Sequence, residues 1–371
     1  MISVESTPER YSFMKPYPKF GLQCTFPNGA TNYSVALRLT VVAGGVTHET
    51  DWFFLQPDDD GYLEYEARIL GSYIVAPDLP SEDELVELMP NYTVSYKLIY
   101  AELYGSTPTL HNEASTAVFY CFPGSCVSKY ASLNKPDWRI DLSYRLSDEM
   151  SAGFYLLGSD VDGDSYVCGG QRSFVYLFWN GGSLSFRNMS LRANGNVVET
   201  FRVQSGRVYR IAVDGGSLGV SGPEYEWSIA MLPSGVGPDL YEIKHRNTVV
   251  PRPWRGVDVL VVDKYGLQRG MVLRDCRMEL VTEGESVKYG DSHGISYKDC
   301  YQLYTCKTGK LRRREIMELA ESMAGQFNYC KVDGEWRRIL FQPGSFVVDE
   351  EGLCEMEVQF RFVDEEFLLH F

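Results

Sequence analysis

Apolar and polar positions alternate along most of this chain in short runs, and the runs are broken by Gly, Pro, Asn and Asp. That pattern predicts strands joined by tight turns. Residues 33–42 alternate cleanly, and Ala43-Gly44-Gly45 turns the chain. Residues 51–55 and 62–70 follow as strands, on either side of the turn Pro57-Asp58-Asp59-Asp60-Gly61. Residues 92–104 and 116–122 complete a first β block. One short helix is expected inside it. Ser81 and Glu84 have capping-box spacing, Leu85, Val86, Leu88 and Met89 supply an apolar face, and Pro90 ends it.

The stretch 124–137 carries two prolines and little periodicity, so it reads as a linker after an N-terminal β domain of residues 1–123. Strands are expected at 138–146, 153–157, 173–179, 184–191, 197–203, 207–213 and 227–231. Turns at Asn180-Gly181-Gly182, Asn194-Gly195 and Asp214-Gly215-Gly216 separate several of them. Short strands at this spacing predict a β-sandwich over 138–245.

A third domain is expected over 246–371. Strands are predicted at 257–262 and 271–281. Leu311, Ile316, Leu319, Ala320 and Met323 then recur at helical spacing, and Gly325 stops the helix. A hairpin through Asp333-Gly334 follows. In the last strand Cys354, Met356, Val358, Phe360 and Phe362 share one face, and Glu355, Glu357, Gln359 and Arg361 the other. The expected fold class is therefore mainly β: two N-terminal β-sandwich-like domains, then an α+β domain with one main helix packed on an antiparallel sheet.

Composition narrows the function. The chain has 371 residues, with 50 Asp+Glu against 35 Lys+Arg and a net charge of -15. So acidic a chain lacks the electrostatic footprint of a duplex nucleic-acid binder or an anionic-lipid binder. No apolar run reaches the roughly 18 residues of a membrane span, so no membrane insertion is expected. The N-terminal stretch has no basic segment followed by an apolar one, and the nine cysteines are irregularly spaced. Reduced, mostly buried thiols made in a cytosol are the expectation.

Few residues suggest chemistry. Asp160-Val161-Asp162-Gly163-Asp164 begins like a calcium loop, but Ser165 and Gln171 stand where an EF-hand needs Gly and Glu. Asp160, Asp162 and Asp164 therefore fit a solvated acidic turn, with a calcium turn of another type as the second reading. Cys300 with His293 and Asp291 can be imagined as a nucleophile with its base, although nothing local implies the geometry. No nucleotide, zinc-protease or hydrolase motif is present, and no cofactor is called for. Trp179 is a candidate sugar-stacking residue, with core packing the commoner role of such a tryptophan. Arg312, Arg313 and Arg314 open the expected C-terminal helix, where the dipole disfavours cations. That placement suggests an external partner such as an acidic patch on a neighbouring subunit. Glu355, Glu357 and Arg361, on the polar face of the last strand, are candidates for the same kind of contact.

Several stretches of the C-terminal third form one familiar order. Val259-Leu-Val-Val-Asp-Lys-Tyr-Gly266 ends a strand in a Tyr-Gly turn, and Tyr304-Thr-Cys-Lys-Thr-Gly309 precedes the expected helix. Asn328-Tyr-Cys-Lys-Val-Asp-Gly-Glu-Trp336 gives strand, Asp-Gly and strand; Arg338-Ile-Leu-Phe-Gln-Pro-Gly-Ser345 and the final alternating strand complete it. This order resembles a module of structural tail proteins of phages that infect Bacteroidetes-type gut bacteria. Phe122-Pro-Gly-Ser125 is similar to the connector between the two β domains that precede it. The resemblance implies a non-enzymatic virion component: a tail, tail-tip or head–tail adaptor subunit made in the host cytoplasm. It also implies assembly in ring-like copies against other virion proteins. Two alternatives stay open: a carbohydrate-binding adhesin that touches host surface glycan through Trp179, and a glycan hydrolase.

Overall fold

The computed structural model describes the chain outside residues 9, 16, 27–30, 74–77, 126–152, 158–164, 181–184, 234–236, 238, 240, 263–266, 290–291, 310, 313–318, 321–322, 324–326, 343–352, 364–366 and 369–371. It is mainly β, as the alternation predicts. The expected linker 124–137 and strand 138–146 lie largely outside the described residues.

The first unit is two facing sheets. One joins Ile2–Ser6, Lys19–Cys24 and Tyr62–Glu66; the other is built on Ser34–Ala43 and Val94–Tyr104 and also takes Tyr11–Lys15 and Phe119–Ser125. Phe20, Leu22, Leu63 and Tyr65 from the first meet Leu37, Leu39, Tyr96 and Leu98 from the second. The alternation that predicts 33–42 is this inward face.

The middle unit is also a sandwich. Five strands, Ser165–Cys168, Tyr241–Val250, Glu224–Met231, Phe186–Ala193 and Asn196–Gln204, form one sheet. The opposing sheet contains Gly153–Leu157, Phe174–Asn180 and Arg207–Ala212, and its fourth strand, Val86–Leu88, comes from far upstream. This last strand corrects the short helix expected at 81–89. Ser81 Oγ does accept from the amides of Asp83 and Glu84, as a helix cap would. However, the Glu87 carboxylate accepts from the Ser81 amide, and Val86–Leu88 pairs antiparallel with Arg207–Ala212. Sheet pairing supplies backbone partners and buries Leu85 and Val86 against the middle core, which outweighs a one-turn helix.

Both faces of that four-stranded sheet are covered. Leu177 and Trp179 point into the sandwich, while Tyr176 and Phe178 point the other way, onto Met89, Tyr92 and Phe122 of the first unit and Leu267 of the third. Burial on two sides explains why Phe174-Val-Tyr-Leu-Phe-Trp179 is apolar throughout. Arg210 lies at this junction with no exposed surface. Its guanidinium donates to the carbonyls of Asp78 (2.7 Å) and Leu79 (3.0 Å) and pairs with Glu87 Oε2 at 2.7 Å. It also donates to Gln268 Oε1 in the third unit. The Tyr176 hydroxyl donates to the Gln268 carbonyl and accepts from its amide.

The third unit departs from expectation. Gln268–Tyr289, Val257–Val262, Asn328–Val332, Glu335–Phe341, Glu357–Phe362 and Ser292–Lys307 pair antiparallel in that order, and the last pairs back onto the first. The sheet therefore closes into a six-stranded barrel. Val259, Val261, Leu273, Cys330, Ile339, Val358 and Phe360 contribute to its core. The predicted main helix is corrected accordingly. Leu311–Arg312 is a strand paired with Leu353–Cys354, and among the described residues only a short helical piece at Leu319, Ala320 and Met323 remains. A closed sheet turns its apolar face inward, in place of the expected open sheet under one covering helix; residues 313–318, 321–322 and 324–326 of that helix lie outside the described ones. Leu319 and Met323 nevertheless pack onto the barrel core, so the apolar face read at 311–325 is partly realised.

The two-residue turns behave as their sequences require. Gly44-Gly45, Asn194-Gly195 and Asp333-Gly334 all take positive φ at both positions, the I′ geometry that matches strand twist. In the last strand Met356, Val358, Phe360 and Phe362 are buried, and Glu355 and Glu357 are exposed.

Two stability outcomes follow, both readable by urea unfolding. Phe360→Asp, which buries a lone charge, should cost about 3–5 kcal/mol, whereas Glu357→Lys, on the exposed face opposite Lys307, should cost no more than about 1 kcal/mol. Equal effects would overturn the facing. Arg210→Ala leaves Glu87 without its buried partner and should cost about 3–5 kcal/mol.

Candidate functional site

Two barrel strands outrun the barrel. Val257–Val262 pairs with Gln268–Tyr289 only as far as Leu273, yet the pairing of Gln268–Tyr289 with Ser292–Lys307 continues from Arg274↔Lys307 to Tyr289↔Ser292. From Arg277 to Tyr289 the first of these strands pairs only with the second among the described residues. The second also takes up Phe367–Leu368, at Cys300 and Asp299. At about 3.3 Å per residue, this two-stranded ribbon reaches about 40 Å.

The ladder breaks where the ribbon leaves the barrel. Asp275 and Cys276 together oppose Cys306, and Asp275 has φ 54°, the left-handed region. Such a bulge bends and twists its strand. A disulfide joins Cys276 to Cys306 across it, with Cα atoms 4.2 Å apart. The Glu355 carboxylate is paired with Arg274 and lies 3.9 Å from Lys307 Nζ.

Directly opposed residues share a face. Met278 and Leu280 therefore lie with Tyr304 and Gln302, on the face that continues the barrel interior. Past the mouth nothing in the described chain covers them, and they are 55% and 64% exposed. On the other face Tyr301 and Leu303 are buried, with the Arg361 guanidinium 4.9 Å from the Tyr301 ring.

The candidates read from the sequence fall unevenly on this geometry. Glu355, Glu357 and Arg361 are gathered beside the ribbon root; Glu357 stands in register opposite Lys307. Arg312 is in the small two-stranded pairing next to that stretch, and Arg313 and Arg314 lie outside the described residues. Asp160, Asp162 and Asp164 also lie outside them. Trp179 is fully buried in the middle sandwich, which removes it as a sugar platform; among the described residues Trp254, 88% exposed, is the tryptophan that faces solvent most. The Cys300–His293 pairing is corrected as well. Both residues are on one continuous strand, about 20 Å apart along it, too far for a shared proton.

The expectation of reduced thiols is corrected for one pair, Cys276–Cys306. Burial pushes the thiols of Cys121 and Cys330 up to about 12, and also raises those of Cys24 and Cys168. Thiols held so far from ionisation are poor nucleophiles. Among the described residues no three His, Cys, Asp or Glu side chains gather as a metal would need.

No protein-family model matches the chain, and no curated protein matches it. Among solved structures it is similar to the fibronectin(III)-like modules of Clostridium thermocellum CbhA, with TM-score 0.20 and 9% identity over 68% of this chain and 95% of that one. It is similar at the same TM-score to the chicken CNTN1 FN1–FN3 domains, with 8% identity over 66% of this chain and 64% of that one. A 1.5-MDa bacterial ice-binding adhesin gives 0.17, with 11% identity over 77% and 92%. At TM-scores of this size none of these likenesses bears on what the chain does.

The thiol assignment has a direct readout. In native, mildly alkaline buffer, iodoacetamide should leave Cys121 and Cys330 unlabelled, and both should label once urea unfolds the chain. Rapid native labelling of either would contradict its burial.

Proposed function

We propose that this chain is a non-enzymatic structural subunit of a phage virion, in the tail, tail tip or head–tail adaptor, that assembles in multiple copies. The observation that carries the reading is the ribbon. It is a long projecting arm whose inner face leaves the barrel with Met278 and Leu280 uncovered. A two-stranded ribbon alone in water is marginal, so an arm of this kind gains stability when a neighbour covers it. A contact between an arm and a different surface of the next copy is heterologous, and it closes into a ring when the rotation between copies allows. The polar flank beside the root, with Glu355, Glu357 and Arg361, supplies charges that fix register more than affinity. The resemblance of the C-terminal third to phage tail modules agrees with this reading.

Size-exclusion chromatography with light scattering, over a range of concentrations and with negative-stain imaging of each peak, tests the reading. A closed ring of fixed copy number is expected. The double variant Met278→Ser/Leu280→Ser should keep its fold and lose the ring. A ring that survives the double variant would remove the arm from the contact. A wild-type chain that stays monomeric at every concentration would count against the reading as a whole.

A further inference from the structure

We infer that the Cys276–Cys306 pair is a reversible redox lock on the ribbon, open when the thiols are reduced and closed by oxidation. The inference rests on the assembly reading only in taking the ribbon as the working arm; the lock follows from the geometry of its root. The two cysteines are 30 residues apart in sequence, and the loop they close contains the whole ribbon. The barrel's other five seams are hydrogen-bonded pairings in which the disulfide takes no part; the sixth, between Gln268–Tyr289 and Ser292–Lys307, is the ribbon's own ladder, and Cys306 packs in the barrel core beside it.

The root is where the ribbon is otherwise least secured. Regular pairing stops between Arg274↔Lys307 and Arg277↔Thr305, and the covalent bond bridges that gap. Without it the first strand of the root keeps the Arg274 contact to Glu355, a part-exposed charge pair that holds weakly, while the second stays paired with Glu357–Phe362 from Tyr304 to Lys307. Beyond it the ribbon is a hairpin that, among the described residues, takes a third strand only at Asp299 and Cys300, from Phe367–Leu368. Cys276 is half-buried and Cys306 fully buried, so Cys276 is the point of entry for a small reagent.

Closure needs an oxidant, and a small disulfide such as oxidised glutathione is the class that fits. The Cys276 thiolate attacks one of its sulfurs and releases one small thiolate, leaving a mixed disulfide. The Cys306 thiolate then attacks Cys276 Sγ and displaces the second small thiolate. The two protons lost by the cysteines end on the two released thiols, and two electrons pass from the protein to the reagent. A dithiol reverses both steps. A chain made in a reducing compartment carries a pliable ribbon, which is fixed once the chain meets an oxidising medium.

Hydrogen exchange on the full chain tests the lock, comparing protein treated with oxidised glutathione against protein treated with dithiothreitol. Alkylation mass counts the thiols in each sample. Oxidised protein should keep Cys276 and Cys306 unalkylated. Reduction should speed exchange in 277–281 and 301–303 by on the order of several hundred-fold at most, the loop-closure contribution expected for a loop of this length. Barrel strands Val257–Val262 and Glu357–Phe362 should be unchanged, and oxidised glutathione should restore protection. Cys306→Ser should reproduce the reduced pattern without reductant; if that variant fails to fold, the wild-type comparison decides alone. Two free thiols at 276 and 306 after oxidation would overturn the lock. So would ribbon exchange indifferent to reduction, or an equal rise throughout the barrel. Light scattering reports separately on assembly, so a monomer with redox-dependent ribbon exchange would retain the lock and count against the assembly reading.

Discussion

A guanidinium with no exposed surface is among the most demanding groups a protein can hold, because its charge and each of its N–H donors need a partner away from water. Arg210 meets that demand with groups that are distant in sequence: the carbonyls of Asp78 and Leu79, the Glu87 carboxylate and the Gln268 side chain. Those partners come from the upstream strand region, while Arg210 belongs to the middle sheet and Gln268 to a barrel strand. The cation is therefore satisfied only when all three parts are docked. The apolar side of the same junction, with Tyr92, Phe122, Tyr176, Phe178 and Leu267, supplies burial, and Arg210 supplies direction.

This junction gives the barrel a fixed base. Gln268 and Gly270 begin the strand that runs on to become the ribbon, and both are held to the middle unit. Gln171 donates to the Gly270 carbonyl at 2.8 Å, and a Cβ on Gly270 would stand 2.0 Å from the Arg172 carbonyl oxygen. A side chain at 270 is excluded by that backbone approach. The arm thus projects from a barrel anchored at one end, with a bulge and a disulfide setting its departure.

Much of the fold is legible in the sequence wherever one face of a strand is buried. The segment 33–42, the Asn194-Gly195 and Asp333-Gly334 turns and the final strand all follow from period-two alternation and from residues that accept positive φ. The failures have physical causes. The Ser81 cap is real, but Val86–Leu88 finds a sheet partner that local pattern does not reveal. The helical spacing over 311–325 carries no information that the sheet beside it is closed. The ribbon beyond residue 281 is missed because its sequence (Glu283-Gly-Glu-Ser-Val-Lys-Tyr289) has no apolar alternation to read. Of the two roles read for Trp179, core packing is the one the sandwich realises; a lone tryptophan in a strand does not itself show which way it points. Cys276 and Cys306 are opposed only by a register the sequence does not specify.

The pairing of Val86–Leu88 with Arg207–Ala212 also sets how tension would cross the molecule. In a string of beads, pulling straightens the tethers first and the beads bear load later. Here the upstream segment is stitched into the edge of the middle sheet and fastened by Arg210. A pull on the N-terminal unit therefore arrives as shear on a hydrogen-bonded strand rather than as slack in a tether. Force passes from the first body into the second, and through the hydrogen bonds of Tyr176 with Gln268 into the barrel.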